Sequence, residues 1–146
     1  MDIPKSLNPK PLNPKSLNLS LTLTLAVERW PIAGSFTISR GAKTEAVVVV
    51  AELADGGARG RGECVPYARY GESIESVSTA IEALRPRLVQ GLTRVDLQTA
   101  MPPGAARNAL DCAFWDLEAK RAGLRAWELA GLPPPPPLPV AATLSP

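Results

Sequence analysis

The chain has 146 residues, 45% of them apolar, so it is long enough for one domain with a real core and is not disordered as a whole. A net charge of +2, with no cationic run longer than two residues, leaves no footprint for nucleic acid. The absence of histidine removes Ser-His and Cys-His nucleophiles and histidine metal ligands, and two cysteines, Cys64 and Cys112, make no disulfide framework and point to a reduced, cytoplasmic chain.

Sixteen prolines are too many for a compact domain, so they are expected to cluster outside it. Residues 4–18 repeat the pattern Pro-Lys-Ser/Pro-Leu-Asn three times. Proline at every fifth place forbids a helix and breaks a strand, so residues 1–18 read as a disordered leader of polyproline character. A secretory signal is the competing reading, with lysines ahead of residues 17–27. Polar residues interrupt that stretch at every second place, and no cleavage site follows. No apolar run approaches the roughly 20 residues of a membrane span.

Leu19, Leu21, Leu23, Leu25 and Val27 alternate with polar residues, which predicts a half-buried strand. Pro31 is expected to end it. A loop at residues 32–35 then leads to a short second strand at 36–39 and a turn at Arg40-Gly41. Residues 45–53 carry a valine run that predicts a strand buried on both faces. Asp55-Gly56 signals a hairpin, and residues 59–64 form the return strand. The glycines between 56 and 62 suggest a phosphate loop, but Val65 stands where a dinucleotide fingerprint needs its third glycine, and no Gly-Lys-Ser/Thr occurs. They read instead as a tight turn and a glycine-rich strand end.

Residues 65–72 form a loop with Tyr67 and Tyr70. Ser73 can cap a helix whose apolar stripe is Ile74, Val77, Ile81, Leu84 and Leu88, with a kink or tightened turn near Leu84 because of Pro86. Thr93 caps a short helix at 94–101 with Val95, Leu97 and Met101 on its apolar side. The longest helix, residues 105–120, lines up Ala106, Ala109, Leu110, Ala113, Phe114 and Leu117 at three- and four-residue spacing. Its alanines let another element come close, and Asp116 and Lys120 form an i,i+4 pair. A last turn or two spans 125–130. The predicted core is Leu21, Leu23, Val47, Val49, Ile81, Leu84, Leu110, Phe114 and Leu117. Pro133 to Pro137 reads as a stiff spacer or a ligand for an SH3- or WW-type groove, and residues 138–144 as the beginning of another strand. Glu63, Glu72, Asp111 and Asp116 share no spacing that groups them around a metal, so they read as structural carboxylates.

The expected architecture is therefore α+β: an antiparallel β-meander of about three strands, then three or four helices. It divides into a leader (1–18), a domain (19–131) and a proline linker with a first strand (132–146). The pattern Ala-Arg-x-Ala-Leu-Asp-x-Ala-Phe-Trp-Asp-Leu-x-Ala-Lys, together with Gly60-x-Gly62-Glu63-x-x-Pro66, resembles the N-terminal capping domain of the enolase superfamily. This is the domain of the mandelate racemase/muconate lactonizing enzyme family. Residues 36–41, 45–50 and 62–73 are closest in pattern to the dipeptide epimerases, which act on L-Ala-D/L-Glu.

The resemblance implies a capping domain whose partner is a C-terminal (β/α) barrel, here only begun. It implies an isomerase that inverts the α-carbon of the C-terminal residue of a small-molecule dipeptide with Mg²⁺. One barrel lysine removes the proton and another returns it. Those lysines and the acidic metal ligands belong to later barrel strands, so no catalytic and no metal residue is assigned here. The chain alone is expected to be an inactive fragment. For substrate binding the resemblance points to Arg40 at the end of the short second strand, to Tyr70 in the 65–71 loop and to Thr143 on the first barrel strand. Charge and hydropathy point to no nucleic acid and no membrane as partners, and a homo-oligomer stays open. The alternatives are the cap of a muconate cycloisomerase or o-succinylbenzoate synthase, and a non-catalytic remnant or interaction module.

Overall fold

A computed structural model of the chain describes residues 20–38 and 41–139. The leader at 1–18, Arg40 and most of the expected strand at 138–144, Thr143 included, lie outside the described residues. Among those described, three strands pair antiparallel in the order β1 (Thr22–Ile38), β2 (Gly41–Ala54), β3 (Arg59–Cys64). Five α-helices follow: α1 (Ile74–Glu82), α2 (Arg85–Val89), α3 (Arg94–Ala100), α4 (Ala105–Ala122) and α5 (Ala126–Leu129). This is the α+β meander followed by helices. Among the described residues no helix is long and apolar enough to cross a membrane.

Two expectations about β1 are corrected. It does not end at Pro31, and residues 36–38 are not a separate strand. Pro31 still faces Glu45 in the ladder, and Phe36 faces Lys43, so residues 32–35 stand opposite Thr44 alone. β1 is an edge strand, where a missing N–H donor is tolerated, and the bulge absorbs the extra residues. Side chains from the helical layer bond to backbone groups on both edges. Arg85 donates to the Leu23 carbonyl oxygen at 2.5 Å on β1. On β3 the Arg61 N–H donates to Asp116 at 2.8 Å, and Asn108 Nδ2 donates to the Glu63 carbonyl oxygen at 3.3 Å. An edge occupied in this way offers less to a foreign strand.

The core lies between one sheet face and the helices. Leu21, Leu23, Val49, Ala51 and Leu53 meet Ile81, Leu88, Leu97, Leu110 and Leu117 there. Val47 is not in it: it pairs with exposed Arg29 and is only half-buried. Val48 and Val50 are buried on the opposite face. They lie on the face crossed by the two-pronged Arg61–Glu28 ion pair, which runs from β3 to β1 at 3.0 and 2.9 Å.

The closest packing is α4 on β3. An added Cβ at Gly60 would sit 2.1 Å from the Ala113 carbonyl oxygen, and one at Gly62 would sit 2.0 Å from that of Ala109. Two residues of strand advance about 6.6 Å and four of helix about 6 Å, so the two glycines match successive turns of the alanine stripe. Gly56, by contrast, serves a turn, with φ of 84°. Asp55 closes that turn by accepting from the N–H groups of Gly57 and Ala58.

Pro86 divides the predicted long helix into α1 and α2 and sits in the first turn of α2, where its missing N–H costs nothing. Ser73 and Thr93 cap α1 and α3 as the sequence suggests, each with a reciprocal bond from the third residue on. Val95 departs from expectation and is 72% exposed. It stands two positions before buried Leu97, which places them on nearly opposite sides of a helix.

Candidate functional site

The loop between β3 and α1 packs against the N-terminal end of α4 and leaves a shallow cleft of about 540 Å³. Tyr67, Tyr70, Cys64, Glu72, Gly104 and Asn108 are among the residues that line it. A single 3₁₀ turn, Ala68–Tyr70, closes on Gly71, whose φ of 73° suits glycine. The Tyr67 carbonyl oxygen accepts from the N–H groups of both Tyr70 and Glu72, at 2.9 and 3.2 Å. The two tyrosine rings meet edge to face, 6.4 Å apart at 77°. Tyr70 is 73% exposed at the lip of the cleft, so its ring is available to a partner surface or ligand.

From the other side, Lys43 of β2 places its ammonium 5.7 Å from the centre of the Tyr67 ring. The connected end of the β1–β2 hairpin and the tyrosine loop are thus neighbours. Arg40 falls in sequence between β1 and β2 and lies outside the described residues, as does Thr143. The structure therefore locates Tyr70 among the three residues the resemblance marks and is silent on the other two. Nothing in the local pattern marks Lys43 or Glu72 as members of this site. Their sole signal is proximity to the hairpin turn and to the cap of α1.

The titratable groups here are arranged for packing rather than proton transfer. Burial pushes the Cys64 thiol up to about 11, and Glu72, Glu63 and Cys112 add to it, so the thiol stays protonated at neutral pH. Burial also raises Cys112, with Asp111 adding to it. Asp111 accepts from Gln98 at 3.0 Å, and Glu63 lies 3.6 Å from Arg61. Asp116 holds Lys120 at 2.7 Å as well as the β3 edge. Burial pushes its carboxyl up, but Lys120 and the Arg61 N–H together outweigh that and hold it low. Among the described residues no three His, Cys, Asp or Glu side chains come together to hold a metal ion. The described residues thus offer no Mg²⁺ site.

Comparison with known proteins places these features in a family. Residues 20–131 match the family described as mandelate racemase / muconate lactonizing enzyme, N-terminal domain. The L-Ala-D/L-Glu epimerase of Escherichia coli is 50% identical over 111 residues, which cover 76% of this chain and 35% of that enzyme. An enolase family member from Agrobacterium tumefaciens, with homology to dipeptide epimerases, was solved with bound sodium and L-Ala-L-Glu. It superposes with a TM-score of 0.73 at 57% identity, covering 77% of this chain and 35% of that one. A dipeptide epimerase from Methylococcus capsulatus, complexed with Mg and L-Arg-D-Lys, superposes with a TM-score of 0.65 at 26% identity over 75% of this chain and 34% of its own. The chain spans about a third of the length of the relatives it matches.

Proposed function

This chain belongs to the mandelate racemase / muconate lactonizing enzyme N-terminal domain family, and from that premise we propose that it caps the active site of a dipeptide epimerase. The reaction is inversion at the α-carbon of the C-terminal residue of a dipeptide such as L-Ala-L-Glu. One base removes the α-proton, and an acid returns one on the opposite face. The base, the acid and the Mg²⁺ ligands belong to a partner (β/α) barrel. The cap contributes recognition and closure: the tyrosine loop and the hairpin end exclude water over the dipeptide.

In this reading Arg40 holds a substrate carboxylate through two parallel charge-assisted hydrogen bonds. Tyr70 presents its exposed ring to the dipeptide, and Thr143 lies beside the substrate on the first barrel strand. Two free cysteines suit a cytoplasmic enzyme. The observation that carries the proposal is the 57%-identical Agrobacterium structure, which holds L-Ala-L-Glu and matches 77% of this chain. The test exchanges caps. Residues 20–131 of this chain replace the corresponding segment of the Escherichia coli epimerase, and turnover of L-Ala-L-Glu is measured. Retention of activity supports the proposal. A well-folded hybrid that turns over none of it refutes the proposal.

A further inference from the structure

We propose that Glu72 is the positioning residue of the tyrosine loop, its carboxylate latching that loop to the N-terminus of α4; the inference rests on the capping reading. The carboxylate is shared between two segments far apart in sequence. Oε1 accepts from the Ala105 N–H at 2.7 Å, in the first turn of α4. Oε2 accepts from the Tyr67 N–H at 3.4 Å. Because the Glu72 N–H also donates to the Tyr67 carbonyl oxygen, one residue holds both backbone polar groups of Tyr67.

Gly104 supports the same arrangement independently. A Cβ there would stand 2.9 Å from Glu72 Oε1, so the glycine leaves room for the carboxylate at the helix end. The helix dipole and the first N–H groups of α4 favour a negative charge at that point. The latch therefore joins the rigid part of the fold, α4 packed on β3, to the part that carries Tyr67 and, through their edge-to-face contact, Tyr70. A loop positioned before the dipeptide arrives loses less freedom on binding, which strengthens binding without touching the chemistry.

The Glu72→Gln variant separates the two halves of the latch. A glutamine keeps one acceptor, which the short bond at the helix end retains, and turns an N–H₂ donor toward the Tyr67 N–H. Amide hydrogen exchange on the full chain should then show Tyr67 exchanging about tenfold faster, the ratio expected for one lost charge-assisted hydrogen bond, with Ala105 and the core amides of Val77 and Leu110 little changed. Glu72→Asp keeps the charge but is too short to span both donors, and it should free Tyr67 in the same way. In the cap-exchanged epimerase, Glu72→Gln should raise KM for L-Ala-L-Glu severalfold and leave kcat within about twofold.

Unchanged Tyr67 exchange in both variants overturns the latch. A fall in kcat at constant KM overturns its role in positioning the substrate-facing loop. If the unmutated hybrid is inactive, the capping reading falls and takes the KM consequence with it, while the exchange data still show whether the latch exists.

Discussion

Replacing Gly62 with alanine should destabilise the fold by about 3 kcal/mol or more, because β3 and α4 share no spare space at that point. The new methyl would lie 2.0 Å from the Ala109 carbonyl oxygen and 2.7 Å from the Ala113 nitrogen. Both are backbone atoms of an 18-residue helix and cannot swing aside. The helix must retreat by about 1 Å before the contact becomes even a tight one, and overpacking of that kind costs about 1–3 kcal/mol. Retreat also stretches the Arg61–Asp116 and Asn108–Glu63 bonds at the β3 edge, adding about 1–2 kcal/mol. The melting temperature should fall by roughly 10–20 °C. Thermal and urea unfolding followed by circular dichroism measure this directly. Gly57→Ala is the control, since its nearest neighbour is 3.7 Å away, and it should stay within about 0.5 kcal/mol of the parent. A Gly62→Ala protein that melts within 2 °C of the parent, a margin of roughly 0.5 kcal/mol or less, would show that the approach of α4 to β3 is not as described.

Three further outcomes are expected. The Asp55 carboxyl is held below its ordinary 3.8: burial opposes this, but the Ala58 and Gly57 N–H groups and Arg121 outweigh it. Its contribution is therefore present above pH 3.8 and lost as the pH falls through the lower folded value; Asp55→Asn should flatten the acid limb of a stability–pH curve, and an unchanged limb counts against the assignment. Ser73→Ala removes the acceptor for the Ser76 N–H at 3.1 Å and should cost about 1 kcal/mol in urea unfolding, with no loss pointing to a frayed first turn of α1. Arg40→Lys in the cap-exchanged epimerase should weaken use of L-Ala-L-Glu by roughly 1.5–3 kcal/mol in kcat/KM and spare its C-terminal amide, whereas equal effects on both would make Arg40 an ordinary turn residue.

The α4 helix was legible because its stripe is continuous over about three turns, and Ala106, Ala109, Leu110, Ala113, Phe114 and Leu117 are all buried as their spacing requires, with Ala119 buried besides. The glycines of β3 were legible only in part. A strand carrying Gly60 and Gly62 has no side chain to declare its partner, and the match to the alanine turns of α4 appears only when the two are juxtaposed. Pro31 misled because its effect depends on whether the strand is an edge, which local sequence does not encode. Val95 misled because a seven-residue helix is too short for its apolar residues to define a face. In the candidate site Tyr70 is conspicuous as a loop aromatic beside Gly71. Lys43 and Glu72 are ordinary surface residue types whose role comes wholly from which segments the fold brings together.

We propose that this domain closes over a dipeptide whose C-terminal α-proton is exchanged. The most direct test is proton NMR of L-Ala-L-Glu incubated in D₂O with the hybrid that carries this cap on an epimerase barrel. The α-proton signal of the glutamate residue alone should be lost, with the L,D diastereomer appearing alongside, and the barrel segment by itself should give no such change. Deuterium at the alanine α-carbon, or no exchange from a hybrid that is folded and metal-loaded, would contradict the proposal.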